Sequence, residues 1–176
     1  MAKALKEKTV VLINGMGGSG KDTICDILRK HYKTIVISTV DDVKKAAACI
    51  GWNGGKEVRD RAFLSDLKDL CTKYYDYPYK QAVNTYEFFI RIPFDILVIH
   101  IREPHEIEKM RRYIMDDGRA SVYTLLVKTR RVTGTYGNHA DDDVEKYNYD
   151  YTFYNDCPLE QLDETFMLFF EGWSSE

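Results

Sequence analysis

The chain has 176 residues, of which 30% are charged and 44% hydrophobic, with a formal net charge of −3. That is enough to bury one α/β core, and it lacks the basic excess of a polyanion-binding surface, so no nucleic acid is expected as a partner. The longest apolar runs are too short to cross a bilayer, which excludes a membrane span. Cys25, Cys49, Cys71 and Cys157 are far apart with no C-x-x-C pair, a pattern that argues against a zinc site or disulfide framework and fits a cytoplasmic protein. The basic stretch from Met1 to Lys8 runs into the first strand without a signal-like apolar segment, against export.

Thr9 to Asn14 (TVVLIN) predicts a buried parallel strand, and Thr23 to Tyr32 a helix with Ile24, Ile27 and Leu28 on one face. Between them lies Gly15-Met16-Gly17-Gly18-Ser19-Gly20-Lys21-Asp22-Thr23, where a phosphate-cradling loop belongs. Glycines at 15, 17, 18 and 20 permit the backbone angles that turn successive amides inward, and the helix adds its positive N-terminal end. A nucleoside triphosphate is the expected ligand, with Lys21 reaching the outer phosphates. G-x-x-x-x-G-K-[ST] is met through Gly15, Gly20 and Lys21, but Asp22 occupies the Ser/Thr slot and the hydroxyl arrives at Thr23. In this the loop resembles the G-K-D-T and G-K-G-T loops of small-molecule and nucleoside monophosphate kinases. That likeness places Thr23 on an inner phosphate and Asp22 near Mg²⁺, which prefers oxygen ligands and keeps several waters. The alternative is a glycine-rich turn with Asp22 as an ordinary first-turn acid.

Thr34 to Ser38 predicts a second strand, and Asp41 to Cys49 a short helix capped by Asp41 or Thr39. After the breaker cluster Gly51 to Gly55, the stretch from Lys56 to Tyr75 carries Val58, Ala62, Phe63, Leu67, Leu70 and Cys71 at spacings that predict a helix with one buried face. A turn around Pro78 precedes a helix over Lys80 to Arg91, and Pro93 ends it before the strand Asp95 to His100. A helix over His105 to Met115 follows Pro104 and stops at Asp117-Gly118. Val122 to Val127 is the next strand. Lys128 to Asp143 is polar without either periodicity, a candidate mobile lid. Val144 to Tyr149 reads as a short helix, Tyr151 to Tyr154 as a last strand, and Leu159 to Phe170 as a closing helix with Leu162, Phe166 and Phe169 or Phe170 inward.

This alternation predicts an α/β architecture of three layers, a mostly parallel sheet of about five strands with helices on both faces. We expect one domain, with a helical insertion at about 41–92 and the lid at about 128–143. Ligands bind such sheets beyond the carboxyl ends of the strands. In the insertion, Lys56, Arg59 and Arg61 are candidates to hold an acceptor phosphate, because a guanidinium clasps phosphate bidentately; the alternative is a solvated face of ion pairs. Arg59 and Arg61, two apart, cannot share a helix face. Arg130 and Arg131 are candidates to neutralise charge on a phosphoryl group in flight, or form a solvated basic turn. Tyr74, Tyr75, Tyr77, Tyr79 and Tyr86 read as walls of the insertion, the alternative being stacking faces for an acceptor base, and Asp141 to Asp143 as solvated or helix-capping acids, the alternative being a metal site.

On these residues the chain resembles the deoxynucleoside monophosphate kinase-like branch of the P-loop kinases, a group similar to adenylate kinases. Four stretches carry the likeness. The first is Gly15 to Thr23. The second is Trp52 to Leu67, whose W-x-x-x-K-x-x-x-R spacing runs through Trp52 and Lys56 but meets Asp60 in its last slot, with Arg61 beside it. The third, Ile99 to Glu106, is similar to strand-D-x-R-x-x-x-E, with Arg102 and Glu106 matching and His100 in place of the acid. The fourth, His139 to Asn155, matches at His139, Asp142 or Asp143, Asp150, Tyr151 and Asn155.

The resemblance implies the three-layer P-loop NTPase fold and a kinase that uses ATP and Mg²⁺ on a small-molecule phosphate acceptor, a nucleoside or deoxynucleoside monophosphate. Gly15, Gly17, Gly18, Ser19, Gly20, Lys21, Asp22, Thr23 and Asn155 are then the nucleotide-binding residues, Asn155 beside the donor base, with Asp22 and Thr23 at the metal. Lys21, Arg102, Arg130 and Arg131 are the catalytic set, and Asp41, Lys56, Arg59, Arg61 and Arg102 the acceptor set. A phosphate acceptor is a nucleophile at neutral pH and needs no strong base. Two alternatives stay open. One is a kinase for a non-nucleotide phosphorylated molecule or an alcohol, for which Asp41 or Asp42 is the candidate base. The other, kept open by His100, is a catalytically weak ATP-binding regulator. The oligomeric state is left open.

Overall fold

Strand β1, Thr9–Asn14, is buried along its whole length at the centre of a five-stranded sheet. The computed structural model describes residues 5, 7–55, 57–131 and 144–173. The other strands are β2 (Thr34–Ser38), β3 (Ile96–His100), β4 (Ser121–Lys128) and β5 (Tyr151–Tyr154), all parallel, in the order β2-β3-β1-β4-β5. Because β1 is flanked by β3 and β4 and covered on both faces, its sequence is a continuous apolar run instead of an alternating one.

The pleat divides that run between two cores. Val11 and Ile13 join Ile24 and Leu28 of α1 (Lys21–His31) and Phe166 and Phe170 of α6 (Leu159–Trp173). Val10 and Leu12 face Ala82, Tyr86 and Phe89 of α4 (Tyr77–Arg91) and Ile107, Met110 and Ile114 of α5 (Pro104–Asp117). A pair of helices on each face completes the three layers that the alternation of strands and helices predicts.

Two further helices, α2 (Asp41–Cys49) and α3 (Val58–Tyr75), stand between β2 and α4. A single residue, Asp76, in the left-handed region at φ 55°, ends α3 and starts α4, and its carboxylate pairs with Lys109 of α5. α3 is the main departure from expectation. None of its residues is buried, and Val58 and Leu70, expected inside, are 76% and 62% exposed. The helix makes its main contacts with α2 and α4, so its apolar spacing marks a partly covered flank, not a core face.

Smaller departures have local causes. α4 starts at Tyr77, ahead of the expected Lys80, because proline at 78 falls in the first helical turn, where a missing N–H costs nothing. The Asp41 carboxylate accepts the Ser38 N–H at 2.7 Å, while α2 has no side-chain cap. The expected helix from Val144 to Tyr149 is a 3-10 turn over Val144–Lys146, followed by an edge-on Tyr147–Tyr149 pair. Lys56 and positions 132–143 of the expected lid, with His139 and Asp141 to Asp143, lie outside the described residues. Among the described residues no helix is long and apolar enough to cross a membrane.

Phe166 is fully buried and meets Phe153 edge-on at a centroid distance of 5.1 Å. Phe166→Ala is expected to lower stability by about 3–5 kcal/mol, read from the urea midpoint; a loss below about 1 kcal/mol would contradict the packing of α6 against β5.

Candidate functional site

The carboxyl ends of β1, β2 and β3 open on a cleft of about 970 Å³. Its floor is the loop from Gly15 to Gly20, where φ is 151° at Gly15, 82° at Gly18 and 94° at Gly20. Space makes the same demand. A Cβ on Gly15 would stand 2.4 Å from the Val127 carbonyl oxygen, and one on Gly20 would stand 2.1 Å from Asn155 Nδ2.

Two asparagines fasten the loop. Asn14 Oδ1 accepts the Gly15 N–H at 2.8 Å, and its Nδ2 donates to the Arg102 carbonyl at 2.9 Å and to Tyr149 Oη at 2.7 Å. Asn155 Nδ2 donates to the Ser19 carbonyl at 2.9 Å, while its buried Oδ1 has no hydrogen-bond partner among the described residues. The Lys21 ammonium donates to the carbonyls of Gly15 and Met16 at 2.5 and 2.8 Å. Glycines without room for a Cβ, amides at a helix N-terminus and an ammonium on the loop together fit a polyphosphate. Asp22 and Asp41 both line the cleft, and their oxygens suit a hard cation such as Mg²⁺. Thr23, half-buried, follows Asp22 on the first turn of α1.

His100 ends β3 against α1, with Nε2 3.3 Å from Cys25 Sγ. Burial pushes the imidazole down to about 4, opposed by the Asp22 carboxylate. Burial, reinforced by Asp22, pushes the thiol up to about 12. Both groups are therefore neutral at pH 7. Where the resemblance expects an acid there is an uncharged pair, and the carboxylates lining the cleft are Asp22, Asp26, Asp41 and Glu103.

The opposite wall is α3. Arg61, Leu64, Ser65 and Lys68 line the cleft at i, i+3, i+4 and i+7, one helical stripe. Arg59 is exposed and is not among the lining residues. Asp60, in the slot where the resemblance expects arginine, accepts the Glu57 N–H at 3.1 Å and so caps α3. Arg29, Lys44, Trp52 and Arg102 also line the cleft.

Other candidates lie elsewhere. The Arg131 guanidinium donates to the carbonyls of Asn155 and Cys157 at 3.3 and 2.8 Å, and the Arg130 side chain is 93% exposed beside Asp156. The five tyrosines of the insertion do not line the cleft; Tyr77 donates to Asp42 and Tyr86 to Asp117. Lys68 had no place in the motifs, although its seven-residue spacing from Arg61 was there to be read. Asp150 accepts from Thr124 N and Oγ1 at 2.8 and 2.9 Å and pairs with Arg111, so it braces β4 and does not face the cleft.

No protein-family model matches the sequence, and no curated protein matches it. Solved structures do resemble it. The tunicamycin resistance protein of Deinococcus radiodurans superposes with a TM-score of 0.53 at 13% identity, over 93% of this chain and 96% of that one. The Mycobacterium tuberculosis APS kinase CysC, as its Cys556Ala mutant, gives 0.50 at 13% identity, over 94% and 98%. At such identities the likeness establishes the fold: this chain has the three-layer P-loop NTPase fold.

Two outcomes are expected. Gly20→Ala combines strained backbone with the Asn155 clash and should weaken ATP binding by about tenfold or more in calorimetry; undiminished affinity would contradict the cradle. His100, ordinarily near 6.5 but about 4 when folded, binds its proton more readily in the unfolded chain. Its contribution to stability is complete above about pH 6.5 and is lost as pH falls toward 4. His100→Gln should flatten the wild-type decline in urea midpoint across that window, and parallel curves for the two proteins would contradict a neutral imidazole.

Proposed function

We propose that this protein is an ATP-dependent kinase that transfers the γ-phosphoryl group to a small phosphorylated acceptor, a nucleoside or deoxynucleoside monophosphate. The observation carrying this reading is that one cleft holds Lys21 on its floor and Arg61 and Arg102 on its walls. Two phosphate-bearing reactants can thus meet in a single cationic space.

In this reading the amides of Gly15 to Gly20 and the Lys21 ammonium hold the donor phosphates, and Thr23 bonds an inner one. Asp22, with Asp41, would hold Mg²⁺ through water, and the ion would neutralise charge on the outer phosphates when bound. Arg61 and Arg102 orient the acceptor, whose phosphate oxygen is already a nucleophile, so alignment and charge stabilisation supply the rate. Asn155 keeps the loop in shape at its donor side. Residues 41–92 serve as the acceptor-binding insertion and 128–143 as the lid, with Arg130 and Arg131 at its base. The free state of all four cysteines is compatible with a cytoplasmic setting.

A second reading is favoured by Asp41, a carboxylate in the cleft that could serve as base toward the hydroxyl of a non-nucleotide acceptor. The test for both is ADP release from Mg·ATP against ribo- and deoxyribonucleoside monophosphates and phosphorylated or plain alcohols. Lys21→Ala should lower acceptor-dependent release by about 100- to 1000-fold. Release only with alcohols, and lost in Asp41→Asn, would transfer the assignment to the second reading; ATP binding without release for any acceptor would overturn both in favour of a regulator.

A further inference from the structure

The charged stripe of α3 ends at Lys68, whose ammonium pairs with the Glu103 carboxylate across the cleft. The two side chains are only 12% and 24% exposed, so the pair is largely out of water. Burial pushes the Glu103 carboxyl up, but the Lys68 charge outweighs it and holds the group below the usual carboxylate range; it is ionised at neutral pH. Glu103 is also the residue preceding α5, yet its side chain makes no capping bond there. Its neighbour in sequence is Arg102, and Arg61 stands two turns before Lys68 on the same face of α3. A carboxylate thus occupies a cationic cluster built from two facing walls.

We infer that the phosphate of the acceptor displaces Glu103 from Lys68, which makes Lys68 an acceptor-binding residue and Glu103 a competing anion that holds its place beforehand. The inference rests on the acceptor site proposed above and narrows it to substrates bearing a phosphate. An ammonium stripped of water needs an anion at all times, since leaving one buried charge alone is costly. Exchanging carboxylate for phosphate keeps Lys68 paired in both states, and a phosphate offers more charge and more acceptor oxygens than a carboxylate. An unphosphorylated acceptor could not make the exchange and would have to bind beside an intact pair.

The test is calorimetric titration of the full chain, without ATP, with nucleoside monophosphates and the matching nucleosides, using wild type, Lys68→Met, Lys68→Arg and Glu103→Gln. Lys68→Met should weaken monophosphate binding by about ten- to a hundredfold, leave nucleoside and ATP binding unchanged, and be largely rescued by Lys68→Arg. Glu103→Gln should tighten monophosphate binding, because it removes the competitor. Weakening by Glu103→Gln to the extent seen in Lys68→Met would show a strut between α3 and α5 and overturn the inference. So would equal losses for nucleosides and monophosphates, or a wild type that binds no monophosphate. Because the titration requires no transfer, monophosphate binding with this pattern but no ADP release would reject the kinase reading and leave the role of Lys68 standing.

Discussion

A phosphate cradle is a run of amides kept in a shape that the chain would not hold unaided, and here two buried asparagine side chains impose it. Asn14 is 1% exposed and Asn155 8%. The first joins the start of the loop to the backbone of Arg102, and the second holds the Ser19 carbonyl. The loop is therefore tied to the ends of β3 and β5 as well as to its own strand. Loss of either amide leaves buried backbone groups unpaired, at a cost of about 1–3 kcal/mol each. The same ties place Arg102 at the cleft, because the Asn14 bond fixes the backbone from which that guanidinium extends.

The β1–loop–α1 unit was legible in the sequence because three independent signals agree there: an unbroken apolar strand, glycines at close-contact positions, and an apolar helical stripe. The five parallel strands were legible for the first of these reasons. α3 misled because helical spacing reports a preference for shelter, and a helix roofing a cleft answers it partially, through its flanks, as a core helix does completely. Asp60 is a related case. One slot of a loose motif was filled, but by a residue whose work is to cap the helix it begins. Lys68 was missed because its meaning depends on Glu103, 35 residues away, and no local pattern connects them.

The centre of the cleft is less acidic than the resemblance suggested. His100 and Cys25 meet there as neutral groups, and the carboxylates that act on the imidazole are those of Asp22 and Asp41. Charges of both signs line the cleft throughout: Lys21 and Asp22 at the loop, Asp41 and Lys44 on α2, and Arg102 and Glu103 after β3.

Asp76 determines how α3 can move. With one residue between two helices, and that residue paired to Lys109, α3 is continuous mechanically with α4, and α4 is anchored through Pro78, Ala82, Tyr86 and Phe89. At its other end α3 is reached through Gly51 and Gly54, both at positive φ, with no buried residue along its length. Any tilt of α3 about its Asp76 junction with α4 would displace Arg61 farther than Lys68, because Arg61 stands about two helical turns farther from it.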